Sequence, residues 1–282
     1  MTIAAQSTLL ATACATALPD KPECFIARPG IHASPTQFRV AGRQQERHAA
    51  FRLVYKSYLK AGLIKPNRFQ MRVTPFHMSP LTHVFVGLQS GHCDCTVSLV
   101  QDSKLGLPME VVYKKEVDRL RRSGHHLAEV SSLAFEPTSA RVFWQNFMGL
   151  NRLMAQFARF QGVDRLLIAA HPRHARVYQR LMGFEIIGEI TSYPTVQNHP
   201  AVACCLDFRR ADSVPPPTYN HVFDETIPHH QLIARPIPTD ERSYLRGFVN
   251  STEAWVPLST EQQRNVAAIC GTNCGSTANN RS

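Results

Sequence analysis

Glu129 sits inside Leu127 to Phe135 (LAEVSSLAF), a run whose other residues are apolar or small. Burying a carboxylate there disfavours its charged form, raises its pKa and suits it to general-base work. Such a base can take a proton from an ammonium group and turn it into a nucleophilic amine. The competing reading puts Glu129 on the outward face of an edge strand, or in a structural ion pair with Arg52. Arg52 lies on a helical stretch with Tyr55 and Lys56. It can partner Glu129 and Asp102, or clamp the carboxylate of a small molecule. Asp102 precedes the turn-forming Gly106-Leu107-Pro108, where an ordinary turn role competes with a place in a site.

The elements that must position these groups are legible from periodicity. A short strand over Phe38 to Ala41 leads into a helix from Gln45 to Ala61, capped by Gly62. His83 to Leu88 and Cys95 to Val100 alternate on either side of Ser90-Gly91 and predict a β-hairpin. A helix from Met109 to Arg122 ends at Gly124, and Leu127 to Phe135 follows as a strand. A long helix from Ser139 to Gln161 precedes the continuous apolar strand Arg165 to Ala170. Pro172 opens a last helix that runs through Tyr178 to Gly183-Phe184. Phe184 to Ile190 and Ala201 to Phe208 are the closing strands. This pattern predicts an α/β sandwich with a mixed, mostly antiparallel central sheet.

Composition sets bounds on the rest. The chain has 282 residues, 44% of them hydrophobic, and a net charge of +10, enough for one full core with extensions. After Phe208 seven arginines and no lysine face seven acids, so the whole positive excess lies in residues 1 to 208. Polyanions, an anionic surface or an acidic protein partner all fit that balance. No Lys/Arg-rich run or aromatic-interleaved motif marks a nucleic-acid binder, and none is expected. The first 37 residues read as a disordered leader, with no Lys or Arg ahead of the mildly apolar stretch as an export signal wants. No apolar run approaches the roughly 18 residues that span a bilayer. A cytoplasmic location with reduced thiols is the expectation for the eight cysteines. His92-Cys93-Asp94-Cys95 lacks a second ligand pair at zinc-like spacing, so no metal is expected. Cys204-Cys205 are expected to be one core and one surface residue of a strand. Residues 209 to 282, rich in Pro (Val214-Pro215-Pro216-Pro217, Ile227-Pro228, Pro236, Pro238), form an irregular, partly ordered extension. Tyr244-Leu245, Phe248-Val249 and Trp255-Val256 are its candidates for docking on the core.

Two sets of residues carry a family resemblance. HPRHARVYQRLMGFEIIG, His171 to Gly188, resembles the late signature of the GNAT acyltransferases, Asn-x-x-Ala-x-x-x-Tyr-x-x-x-Gly-Phe. It departs in His171 and His174, and in five steps instead of four from Tyr178 to Gly183. The order of elements is also that of GNAT domains. Residues 96 to 135 resemble the long-chain N-acyl amino acid synthases, relatives of the acyl-homoserine-lactone autoinducer synthases. The matching pieces are Arg52, the Thr-x-Ser-Leu-Val-x-Asp strand end at Asp102, Gly106-Leu107-Pro108, Leu-Arg-x-x-Gly and Ala-Glu-Val-x-x-Leu-Ala around Glu129. The resemblance covers residues 38 to 208. It implies a GNAT-like fold and an N-acyltransferase in which Glu129 is the base and Tyr178 protonates the leaving thiolate; core packing is the competing role for Tyr178. It also makes Arg52, Asp102, Ser131 and Ser132 substrate-binding candidates. The autoinducer synthases carry Glu-x-Ser-Arg where this chain has Glu129-Val130-Ser131-Ser132. Losing that planar cation argues against a homoserine-lactone product and for an amino acid acceptor.

The acyl donor follows from two further features. GNAT enzymes that use coenzyme A follow the central strand with a glycine-rich pyrophosphate loop. Here the corresponding residues, Phe135 to Val142 (FEPTSARV), contain no glycine. The two helices downstream carry Arg141, Arg152 and Arg159, then Arg173, Arg176 and Arg180, with no acid on either. A generally basic surface accounts for these, but typical solvated faces mix both signs. The expectation is that these arginines dock an acidic acyl carrier protein, whose acyl-phosphopantetheine thioester is the co-substrate. No permanently bound cofactor is expected, and the competing readings are an acetyl-coenzyme A-dependent GNAT N-acetyltransferase or a catalytically inactive GNAT fold that binds an acyl group or a partner. Backbone N–H groups near Leu133 to Phe135 would hold the oxyanion, with the fatty chain in a tunnel between sheet and helices.

Overall fold

The computed structural model of the chain describes residues 35–249 and Arg264. The leader up to residue 34, Trp255-Val256 and the cysteines at 14, 24, 270 and 274 lie outside the described residues.

Strand β1 (Gln37–Val40) leads into helix α1 (Gln44–Lys60), which stops where Gly62 takes a left-handed φ of 72°. Strands β2 (Thr82–Gln89) and β3 (His92–Gln101) form the expected hairpin. Its two-residue turn, Ser90 and Gly91, has positive φ at both positions, which matches the twist of the flanking strands. Helix α2 (Glu110–Arg122) and strand β4 (Leu127–Phe135) follow. Helix α3 (Ala140–Phe160) is capped by Ser139, whose Oγ accepts from the Val142 N–H. Strand β5 (Arg165–Ala170) runs into helix α4 (Pro172–Met182), closed by Gly183 in the left-handed conformation.

The sequence-predicted strand Phe184 to Ile190 is shorter in the structure: β6 is Glu185–Ile186, and pairing with the last strand resumes at β7 (Thr191–Tyr193). The cause is Tyr113 of α2, whose hydroxyl lies 3.0 Å from the Glu189 carbonyl oxygen and 2.7 Å from that of Ala201. The ring lies against Gly188, so the chain bends around it. Strand β8 (His199–Asp207) completes the sheet in the order β1-β2-β3-β4-β5-β8-β6, with β7 also on β8. Every pairing is antiparallel except β4 with β5. The outcome is the expected α/β sandwich with a mixed, mostly antiparallel sheet.

Both sheet faces are covered. Phe85, Val97 and Leu99 pack against α3, while Val84 and Val86 pack against Phe51 and Val54 of α1. Val100, Leu127 and Leu167 meet Val117 of α2. For that reason Cys204 and Cys205 are both buried, one on each face, and the expectation that one lies at the surface is corrected. Beyond β8 the proline-rich segment is less irregular than its composition predicts. It forms short helices α5 (Phe208–Ser213) and α6 (Tyr219–Phe223), then α7 (Thr239–Arg246). Leu245 is fully buried, with Phe248 and Val249 packed beside it on the α1 side. A buried ion pair, Arg47 with Glu241, fastens α7 to α1. Among the described residues no helix is long and apolar enough to cross a membrane.

Candidate active site

The parallel ladder between β4 and β5 stops at Glu129 with Leu167. Beyond that point the two strands part, and a cavity of about 590 Å³ opens between them. Its walls include β4 from Glu129 to Phe135 and β5 from Ile168 to Ala170.

A bulge in β4 shapes that wall. Ser132 has a φ of 54°, and the β3 register shifts between Thr96 and Ser98. The extra residue reverses the alternation of the strand. Val130, Leu133 and Phe135 therefore all border the core beneath α3, while Ala134 faces α1. The same bulge places the Ser132 hydroxyl against Arg72, whose Nη1 donates to it at 3.2 Å.

Glu129 is 2% exposed and lines the cavity. Burial pushes its carboxyl up to about 8; the Met109 N–H pulls the other way, and neighbouring Glu110 adds to the rise. The Met109 bond is 2.8 Å, to Oε2. Met109 is itself held by a polar brace: Leu107 N–H donates to Glu110 Oε1 at 2.8 Å, and Arg121 joins Glu110 (2.6 Å) to both oxygens of Asp102 (2.7 and 2.8 Å). Asp102 thus lies outside the cavity wall and supports the loop that presents Met109.

The other sequence-derived residues divide. Ser131, Ser132 and Tyr178 line the cavity, Tyr178 with its ring against Phe147 and Phe184. Arg52 is exposed on α1 and absent from the cavity wall, so it pairs with neither Glu129 nor Asp102. The arginine that does reach the cavity is Arg72, 4% exposed, whose guanidinium lies 5.0 Å over the Tyr58 ring. Sequence reasoning missed it because it falls in a loop without periodicity. Tyr193 was missed too. It is buried beside Thr195 in the same wall, with its hydroxyl pKa pushed well up by burial and then by Glu129.

Of the six arginines on the acid-free helices, Arg173 borders the cavity with His171 and His174, while Arg141, Arg176 and Arg180 are exposed. Arg152 and Arg159 are engaged within the chain, by Glu225 and by Asp212 (2.8 Å) of the extension. At the start of α3, where a pyrophosphate loop would lie, Glu136, Pro137 and Thr138 form the cavity wall. Cys93 and Cys95 are buried thiols, Cys93 pushed up to about 12 chiefly by burial, and among the described residues no group of three or more His, Cys, Asp or Glu converges on a metal site.

The model of the family described as "N-acyl amino acid synthase FeeM" matches residues 49–207, more than half of the chain. The chain belongs to this family. The solved structure of FeeM, an N-acyl amino acid synthase from uncultured soil microbes, is 30% identical with a TM-score of 0.56, covering 64% of this chain and 95% of FeeM. The AHL synthase LasI is 12% identical, with a TM-score of 0.49 over 71% of this chain and 98% of LasI. BjaI, a CoA-dependent acyl-homoserine lactone synthase solved with SAM and isopentyl-CoA, is 13% identical, with a TM-score of 0.44 over 64% of this chain and 90% of its own. No curated protein sequence matches the chain. As a member of the FeeM family the chain is an N-acyltransferase, and Glu129, the β4 bulge and the cavity all fall within the matched residues.

Proposed function

We propose that the chain moves a long fatty acyl group from acyl carrier protein to the α-amine of an amino acid. The observation that carries this reading is that a buried carboxylate, Glu129, and a buried guanidinium, Arg72, both line one cavity. Arg72 takes the acceptor's carboxylate, and Glu129 removes a proton from its ammonium. The free amine attacks the thioester carbonyl, and backbone N–H groups of the parted strand near Leu133 to Phe135 receive the oxyanion. When the C–S bond breaks, the thiolate takes a proton from the Tyr178 hydroxyl, which is restored by the second proton of the attacking nitrogen. Ser131 and Ser132 line the acceptor end. The apolar residues Val130, Leu133, Phe143 and Ile168 receive the acyl chain.

Two features support a carrier protein over coenzyme A as donor. The α3 entrance has no glycine cradle and puts Glu136 where a diphosphate would need donors. Arg141, Arg173, Arg176 and Arg180 remain exposed for an acidic partner, and such a donor places the reaction in the cytoplasm. Beyond the acyltransferase domain (38–208) the leader and the extension (209–282) are taken as separate segments.

The test is incubation of purified protein with acyl-carrier and acyl-coenzyme A thioesters and a mixture of amino acids, read by mass spectrometry. N-acyl amino acids formed faster from the carrier, and lost in Glu129→Gln, are expected. Absence of any N-acyl product from either donor would overturn the reading.

A further inference from the structure

Behind Tyr178 lies a second, smaller space of about 40 Å³. Val130, Leu133, Ile168 and Tyr178 border both it and the main cavity, so the two spaces share one wall. A single water needs about 10–15 Å³ on such a scale, so the inner space takes roughly three groups of that size, and its apolar lining favours hydrocarbon over water.

The far end of this space is built by the extension. Ala211 of α5, Pro216, and Tyr219, Val222 and Phe223 of α6 close it. The match to the FeeM family ends at residue 207, one residue before α5, so this end wall lies outside the part of the chain that the family shares. The wall is also firmly seated. Thr218 Oγ1 donates to the Leu181 carbonyl at 2.6 Å, and Gln156 holds the Val222 carbonyl (2.6 Å) and the Ile227 N–H (2.8 Å). Arg159 binds Asp212 through two bonds (2.8 and 2.9 Å), Tyr219 donates to the same carboxylate, and the Arg159 guanidinium lies 4.9 Å over the Phe223 ring. Two arginines that a basic helix would otherwise offer to solvent, Arg152 and Arg159, therefore hold the extension against α3.

We infer that residues 208–223 are the acyl-chain ruler of this enzyme: the terminal carbons run past Val130, Leu133 and Ile168 and end against Ala211, Tyr219 and Phe223. The inference rests on the proposed fatty acyl substrate and adds what sets its length. Each methylene that finds room contributes about fourfold in affinity, and a carbon that meets the wall loses that gain and strains the packing.

The experiment is calorimetric binding of saturated fatty acids of about eight to eighteen carbons to the full chain and its variants, with a gain of about fourfold per accommodated carbon. Tyr219→Ala opens the end wall and is expected to move the preferred length up by about two carbons; Ala211→Phe fills it and is expected to move the preference down. Tyr219→Phe keeps the ring and is expected to keep the wild-type profile. Should Ala211→Phe fail to fold, as judged by circular dichroism, Ala211→Val makes the same test with a smaller step. Fatty acids that bind wild type with an unchanged length profile in Tyr219→Ala and the filling variant would overturn the ruler and leave the acyltransferase reading standing. No binding at any length, in wild type or variants, would overturn the fatty acyl reading and the ruler with it.

Discussion

The Met109 N–H donates to Glu129 Oε2 at 2.8 Å, joining the loop before α2 to the point where β4 and β5 separate. This bond stabilises the ionised carboxylate, while burial opposes it more strongly and leaves the group near 8. The proposed base is thus oriented by backbone and poised by desolvation.

Activity should rise with pH as Glu129 loses its proton and level off above about 8. In Glu129→Gln this limb should vanish, with kcat down by about 10²–10⁴-fold. A pH profile of kcat/KM that is identical in wild type and variant would assign the base elsewhere.

The same shift has a stability consequence. Glu129 binds its proton more tightly folded than unfolded, so its contribution is complete below the ordinary carboxyl pKa and is lost as pH rises toward about 8. Glu129→Gln, which keeps an acceptor for Met109, should melt above wild type at pH 9 and lose that advantage at pH 4. Calorimetric melts at the two pH values check this.

Arg72→Met should raise KM for the amino acid acceptor by tenfold or more, on the order of a charge-assisted hydrogen-bond pair, with a smaller effect on KM for the thioester. Arg52→Met, on the exposed side of α1, should leave the acceptor's KM near wild type. Steady-state kinetics with each substrate varied in turn separates the two.

Arg121→Met should cost about 2 kcal/mol of stability by stranding the buried Glu110 carboxylate, with Lys114 at 3.5 Å as partial compensation. Urea titration measures the loss. Breaking the more deeply buried Arg47–Glu241 pair with Glu241→Ala should cost more, about 3–5 kcal/mol, because both side chains are nearly dry.

Charge reversal should separate the six arginines by role. Arg173→Glu, Arg176→Glu or Arg180→Glu should raise KM for an acyl carrier donor, more at low salt than at high. Arg159→Glu should instead loosen the extension, since it faces Asp212, and show as a lower melting temperature.

The order of strands and helices, the hairpin turn at Ser90-Gly91 and the buried carboxylate at Glu129 could be read from the chain because each is local. Periodicity, positive-φ residues at turns and a carboxylate in an apolar strand leave their mark on a few neighbouring residues. The Tyr178 signature was legible for the same reason, as a helix end capped by Gly183. What depended on distant pairing was not legible. The bulge at Ser132 reverses which residues of β4 face α3, and nothing in LAEVSSLAF marks where the alternation breaks, because the shift is set by pairing with β3. Arg72 reaches the cavity and Arg52 does not, because a loop, not the helix, carries a guanidinium there. The sequence by itself determined a GNAT-like acyltransferase core with a buried carboxylate. Only the tertiary structure decided which arginine enters the cavity, that Asp102 braces a loop, and that the proline-rich segment folds back to close the inner space, since those outcomes depend on side chains meeting across long stretches of chain.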